Sequence, residues 1–301
     1  MSPASAPVSS ATAVLSSFDF YYHYPTVLAK HGTLRQTCTM EKIKRARTQV
    51  PACRVFFAEF LHSDLFIEEA GVTTLITPTG ARCQRHYAVG AVEAVETRGN
   101  VVRIQLNDTT ASIPVFAPQD RYPAERVKEQ AGVEQYLAVI GTVHARTGAD
   151  GSKRALILAE ALGIVEERAR AAWLLTTAMR TMERIEQLRI FSGEPNSRSG
   201  MSSGRVREHY ALDNEHLDAL AGTAINAVNG LLTHYRAQTR ALIMEQITTA
   251  GKSGLDRSRL LDRLRRGQGL PETWVEEIID GLILEGPCSE SESGVLQCAR
   301  S

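Results

Sequence analysis

Between residues 51 and 165, apolar and polar positions alternate or run together in short blocks. Residues 53–60 (Cys-Arg-Val-Phe-Phe-Ala-Glu-Phe) are dense in β-forming side chains, and 86–96 form an apolar run with Gly90 inside it. Shorter runs follow at 101–106, 112–116 and 136–144, and 155–158 open a last one. Short strands separated by turn residues predict a small β-barrel. A short helix is expected at 124–130, started by Pro123 and stopped near Gly132.

The period changes after residue 165. Across 166–188 the apolar positions Ala171, Leu175, Ala178, Met182 and Ile185 recur at spacings of four and three, which is one stripe on a helix. Residues 192–204 are rich in Ser, Gly, Pro and Asn and read as a flexible linker. A second stripe (Leu217, Leu220, Ile225, Val228, Leu232, Tyr235) marks another helix. Three short helical stretches follow at 242–249, 256–266 and 271–284, with Asp256 as an N-cap and Pro271 at a helix start. A glycine-bounded loop and a short strand close the chain. Three helices and then a β excursion is the order of a winged helix-turn-helix.

Composition adds limits. The 301 residues are 43% hydrophobic and 23% charged, ordinary values for a globular protein, and formal net charge is zero. Any nucleic-acid contact must therefore rest on a local basic surface. No apolar run has the length of a membrane span, so a soluble protein with no membrane partner is expected. Residues 1–17 have the composition of a disordered segment and not of a signal peptide. An aromatic cluster at 18–25 and a basic run at 42–47 follow, and the cluster suits docking in cis or on a partner. The five cysteines are widely spaced, with no C-x-x-C pair, so reduced thiols are expected, with no zinc site and no cofactor. Cys288 and Cys298 flank a hairpin and could face each other.

The middle of the strand region resembles the OB fold of replication protein A subunits. The residues that carry it are the Gly-kinked strand Val89-Gly90-Ala91-Val92, the turn Asp108-Thr109-Thr110, and the later strand Val139-Ile140-Gly141-Thr142-Val143. Gly90 and Gly141 allow strands to bend where a small barrel closes. Asp108 and its two threonines suit a side-chain-bonded turn. Arg54 to Phe60 (Arg-Val-Phe-Phe-Ala-Glu-Phe) and Thr77 to Arg82 (Thr-Pro-Thr-Gly-Ala-Arg) are similar to motifs preceding the barrel in archaeal replication protein A-associated OB proteins. Thr77 stands where that family has an apolar residue. The order barrel, helix, linker, winged helix is also similar to the replication protein A small subunit.

The resulting fold class is α+β and multidomain. It comprises an N-terminal extension (1–50), a five-stranded OB-fold β-barrel (51–165), a connecting amphipathic helix (166–191), a flexible linker (192–212) and a helical segment with a C-terminal winged helix-turn-helix (213–301). The resemblance implies a cytoplasmic, nucleoid-associated subunit of a single-stranded-DNA-binding complex acting in replication, repair and recombination. Its implied partners are single-stranded DNA, sister subunits through the helix 166–188, and replication or repair proteins through the winged helix.

An OB barrel binds single strands across its second and third strands, with basic side chains on phosphates and aromatics under bases. Candidates are Arg82, Arg85, His86 and Tyr87 at the first barrel strand, Arg103 and Gln105 on the second, and Phe116 on the third. Arg146, Lys153 and Arg154 flank the last loop. Alternation puts Arg103 and Gln105 opposite Val102, Ile104 and Leu106, on the outer face. For each arginine the plain alternative is a solvated charge, and for Tyr87 and Phe116 core packing. Glu93, Glu96, Asp108 and Asp120 offset the basic groups, so weak intrinsic affinity is expected. Leu175, Ala178, Met182 and Ile185 are the candidates for subunit assembly, against packing on the chain's own barrel.

Residues 271–284 hold Glu272, Glu276, Glu277 and Asp280 and no Lys or Arg. Such a helix repels phosphate and favours protein docking over duplex reading. Gly251-Lys252-Ser253 lacks the upstream glycine of a phosphate loop. The eight histidines show no ligand spacing. No catalytic frame is evident, so a non-enzyme is expected. A scaffold subunit without DNA contact and a winged-helix transcription regulator remain as alternatives.

Overall fold

Residues 53–60 do not make a strand. In the computed structural model, which describes residues 50–119, 135–190 and 198–299, Cys53 makes one isolated bridge to His86 and Phe57–Leu61 is a helix, α1. Tertiary contacts override the β propensity here. Phe56, Phe57 and Phe60 are buried together, and Trp173 lies 6.0 Å from both Phe56 and Phe57. The N-terminal N–H groups of α1 find acceptors in a distant turn: Phe57 N donates to Asp108 Oδ2 (2.7 Å) and Ala58 N to Thr110 Oγ1 (3.1 Å). The chain divides into two units, Met1–Pro51 and Ala52–Ser301, and every element named here belongs to the second. The N-terminal extension and the helix expected at 124–130 lie outside the described residues.

A small antiparallel sheet follows α1, built from β1 (Leu65–Glu69), β2 (Val72–Ile76) and β3 (Arg82–Cys83) in that order. Its second turn carries the Thr-Pro-Thr-Gly motif, and the reason for the motif is visible. Glu59 on α1 is buried and accepts from the hydroxyls of Thr77 and Thr79 and from Thr79 N. The two motif segments noted in the sequence therefore meet each other.

Cys53 and Cys83 form a disulfide, which corrects the expectation of reduced thiols throughout. Topology rather than spacing decides this pair. Cys53 bridges to His86, Cys83 lies three residues before it in the chain, and their Cα atoms lie 5.6 Å apart, within disulfide reach. Cys288 and Cys298 are free and directly opposed across a hairpin, as expected from their spacing.

The barrel strands are β4 (Arg85–Arg98), β5 (Val101–Asn107), β6 (Ser112–Pro118), β7 (Tyr136–Thr147) and β8 (Lys153–Val165). They close in the order β4-β5-β6-β8-β7, with β6 and β8 parallel and every other pair antiparallel. This is the five-stranded Greek-key closure of an OB fold. The glycines act at close approaches. A Cβ on Gly90 would stand 2.7 Å from Asn107 O, and one on Gly141 would stand 2.6 Å from Leu158 O. Asp108 Oδ1 accepts from Thr110 N, Thr110 Oγ1 and Ala111 N, the side-chain-bonded turn expected there. Burial pushes the Asp108 carboxyl up, and these bonds oppose that shift.

Helix α2 (Glu167–Ile190) carries the apolar stripe. Within the chain this stripe, expected to serve subunit assembly, already has a packing partner. Ala178 and Ile185 are buried, and Leu175 and Met182 are half-buried, all against the chain's own clusters. A stripe announces burial but not the partner, and the partner is supplied in cis. Arg184 on the same helix lies 3.6 Å from Glu59 and donates to Thr79 Oγ1 (2.7 Å), pinning α2 to α1 and the small sheet.

The linker expected at 192–212 is helical over Arg198–His209, named α3. A few anchors suffice in a polar sequence. Val206 and Leu212 are buried, while the Tyr210 hydroxyl donates to Ile76 O and accepts from Asp64 N and Leu65 N. Helix α4 (Asn214–Ala250) is continuous, where two helices were expected at 213–235 and 242–249. The joining residues, Arg-Ala-Gln-Thr-Arg-Ala, include neither Gly nor Pro. Leu217 to Leu231 of α4 pack on α2, and Ile243 and Ile247 enter a separate C-terminal core.

That core is shared by α5 (Arg257–Gln268), α6 (Glu272–Glu285) and a sheet of β9 (Leu255–Asp256), β10 (Cys288–Glu290) and β11 (Val295–Cys298) in the order β10-β11-β9. Asp256 caps α5 by accepting from Arg259 N (3.0 Å). No helix among the described residues is long and apolar enough to cross a membrane.

Two outcomes follow. Ile185→Ala should cost about 2–5 kcal/mol of stability in the isolated chain, read as a shift in urea midpoint. His86 is fully buried and held neutral, its pKa lowered by desolvation to about 4, with Val55 O as its hydrogen-bond partner. The unfolded chain takes up this proton near pH 6.5, so the stability His86 allows is full above that pH. It falls as pH drops toward 4, by about 3 kcal/mol in all at 1.36 kcal/mol per unit. A His86→Phe variant should show a flatter decline in urea midpoint over that window, whatever its stability at pH 7.

Candidate nucleic-acid interface

On β5 the side chains of Val102, Ile104 and Leu106 are buried, while Val101, Arg103 and Gln105 face outward, as alternation requires. Pairing registers extend this outer face around the barrel. Glu96 stands opposite Arg103, Arg103 opposite Phe116, Phe116 beside Leu158, Leu158 opposite Thr142, and Thr142 opposite Arg85. The row leaves β4 at Glu96 and returns to it at Arg85, the stagger that closure of tilted strands imposes.

Phe116 lines a groove of about 460 Å³ together with Arg98, Val101, Arg103, Pro114 and Arg146. The groove floor is the β5–β6 face. Its walls come from the ends of β4 and β7, beside the turns at residues 99–100 and 148–152. The second turn is stiffened by Asp150 Oδ1, which accepts from Ser152 N and Oγ. A largely apolar groove that includes an aromatic ring and has guanidinium groups around it suits a planar ring bearing anionic substituents.

The charges in the groove are lightly compensated. Glu96 Oε2 lies 3.4 Å from Arg103 and 3.7 Å from Arg98, and Arg103 also donates to Gln105 Oε1 at 3.3 Å. Such exposed pairs are weak and readily exchanged. Arg146, Lys153 and Arg154 make no ion pair among the described residues. Arg154 stands opposite Arg146 on the same face, while alternation turns Lys153 to the other face.

Other sequence candidates fall elsewhere. Arg82 lies on β3 and pairs with Glu69 (3.0 Å), outside the barrel face. Arg85 forks onto Glu160, with Nε 3.0 Å and Nη2 2.6 Å from Oε2, and Thr142 joins the same carboxylate. Those hydrogen bonds, Arg85's first, hold the Glu160 carboxyl below its usual range. Tyr87 is half-buried under the guanidinium of Arg54 (5.0 Å), and its carbonyl accepts from Trp173 Nε1. His86 is core. The structure therefore gathers Arg103, Gln105, Phe116, Arg146 and Arg154, and adds Arg98, Val101 and Pro114. Arg98 had a signal in the sequence: it shares parity with Glu96, two residues past the end assigned to that strand.

No family model and no curated protein matches the chain. Among solved structures, similarity extends to the Stn1–Ten1 complex of S. pombe (10% identity, 44% of this chain and 90% of that one, TM-score 0.34). It also extends to a replication protein A heterotrimer bound to single-stranded DNA (15%, 43% and 94%, 0.33) and to the OBody NL8 bound to hen egg-white lysozyme (20%, 28% and 96%, 0.23). Likeness at these scores does not bear on function, and the OB assignment rests on the strand order and register.

Proposed function

We propose that this chain is a non-catalytic subunit of a replication protein A-like complex and binds single-stranded DNA in the β5–β6 groove. The observation that carries the reading is the placement of Phe116. It is half-exposed on the outer face, in register with Arg103, and walled by Arg98 and Arg146. A base stacked on Phe116 puts its neighbouring phosphates within reach of those arginines. A duplex offers no free base face for such a stack.

The C-terminal elements support a winged helix-turn-helix. One helix, a short strand, two helices and a hairpin follow in order, with β9 and β10 on either side of β11. Its last helix, α6, carries five carboxylates and no cation, which suits docking of replication or repair proteins and argues against a duplex-reading transcription regulator. A scaffold role without DNA contact draws support from Glu96, which already occupies Arg98 and Arg103.

Fluorescence anisotropy of labelled oligo-dT against a salt series separates these readings. Phe116→Ala should lose about 1–3 kcal/mol of binding with little change in salt slope. Arg103→Glu with Arg146→Glu should lower both affinity and slope. Arg85→Ala, whose partner is Glu160, should leave the slope unchanged. No salt-sensitive binding by the wild-type chain establishes the scaffold reading instead.

A further inference from the structure

We infer that α5 is a second phosphate-binding surface, one that holds nucleic-acid backbone independently of the barrel groove. The C-terminal module is acidic overall. Residues 242–299 contain six basic and ten acidic side chains, yet α5 holds five arginines, no lysine and one carboxylate, while α6 holds five carboxylates and no cation. A surface built only for solubility mixes its signs. This one separates them onto neighbouring helices.

The five arginines divide by what they touch. Arg257 is partly buried and clamps the module, reaching Asp280 (2.7 Å) and Glu290 (2.9 Å). Arg265 lies between Asp262 (3.5 Å) and Glu272 (3.7 Å). The other three, Arg259, Arg263 and Arg266, are exposed and fall at i, i+4 and i+7, a single stripe on the flank of the helix beside the buried Leu260 and Leu264. Arg263 donates to the neutral Gln246 Oε1 (2.6 Å), and Arg266 shares Asp262 at 3.5 Å. Arg259 makes no ion pair among the described residues and feels the capping carboxylate Asp256 only at longer range.

Helix stability accounts for part of this stripe but not all of it. Cations in the last turn, such as Arg266, favour the helix dipole. A cation in the first turn opposes it, and Arg259 is the third residue of α5. The stripe rises about 10 Å along the axis, the rise of about three phosphates on one strand. Arginine rather than lysine at all three positions suits the forked recognition of phosphate oxygens.

The test uses the full chain, with labelled dT30 and a 30-base-pair duplex, titrated at several salt concentrations. Replacing all three arginines by Gln should weaken oligo-dT binding at least 10-fold at low salt and reduce the salt slope by about 2, at about 0.7 per lost contact. Arg259→Gln alone separates binding from folding, because it should lower affinity while leaving the melting temperature unchanged or slightly higher. A drop in slope on either probe supports the inference. Unchanged affinity and slope on both probes, in a triple variant that melts normally, overturns it. The groove is scored separately: if Phe116→Ala and Arg103→Glu bind as wild type while the α5 variant does not, the groove reading falls and this one stands.

Discussion

The buried carboxylate of Asp108 is the contact on which the arrangement of the whole unit depends. It closes the turn between β5 and β6 with one oxygen and accepts the first N–H of α1 with the other. Without it, a helix carrying two buried phenylalanines would enter the core with an orphan donor, a loss of about 1–3 kcal/mol before any packing is counted. Once α1 is seated, Glu59 is fixed beneath the small sheet, where Thr77 and Thr79 bind one oxygen and Arg184 faces the other. Arg184 orients α2, α2 receives α4, and α4 carries the C-terminal core. A local turn motif thus positions an element more than a hundred residues away.

The legible parts of the sequence were those in which one side chain's burial implies its neighbour's. Arg103 and Gln105 could be placed on the outer face because Val102, Ile104 and Leu106 demand the inner one. Gly90, Gly141 and the Asp108 turn were readable because each serves a conformation its residue type is suited to. The failures share a cause, since they needed to know what lies across the fold. Residues 53–60 have strand propensity, but Trp173 and Asp108 make the helix the better-satisfied state. The α2 stripe was correctly apolar, yet nothing in its spacing says that α4 covers it. Cys53 and Cys83 become neighbours only when residue 53 is laid beside the start of β4, at His86. The Ser- and Gly-rich stretch before α4 gains its helix from Tyr210, whose hydroxyl serves three backbone groups of the small sheet at once.

A chain with no net charge can still hold an anion where its cations converge and most of its carboxylates are occupied elsewhere. Glu160 is taken by Arg85 and Thr142 and Asp108 is buried, while Glu96 lies between Arg98 and Arg103 and Asp150 near Arg154. A single carboxylate shared between Arg98 and Arg103 leaves the local field positive once Arg146 and Arg154 are included. It also occupies a position that an incoming phosphate oxygen must take, which favours modest affinity in an isolated groove.

Modest affinity at one surface changes meaning when a second is held at fixed distance. Helix α4 runs without a break from its packing on α2 to the C-terminal core. At 1.5 Å per residue its 37 residues span about 55 Å. Trp274 beneath Arg236 and the forked Arg240–Glu285 pair fasten α6 to its last turns. A flexible tether between two weak sites sets their effective concentration by its length alone. A helical shaft instead makes it depend on whether the ligand's own span matches. A strand long enough to reach both the groove and α5 then gains from each contact without the entropy of a second encounter, and a shorter one does not. If both proposed surfaces take phosphate, the near-neutral composition, the partly filled groove and the continuous helix favour length of strand over strength of grip at any one point.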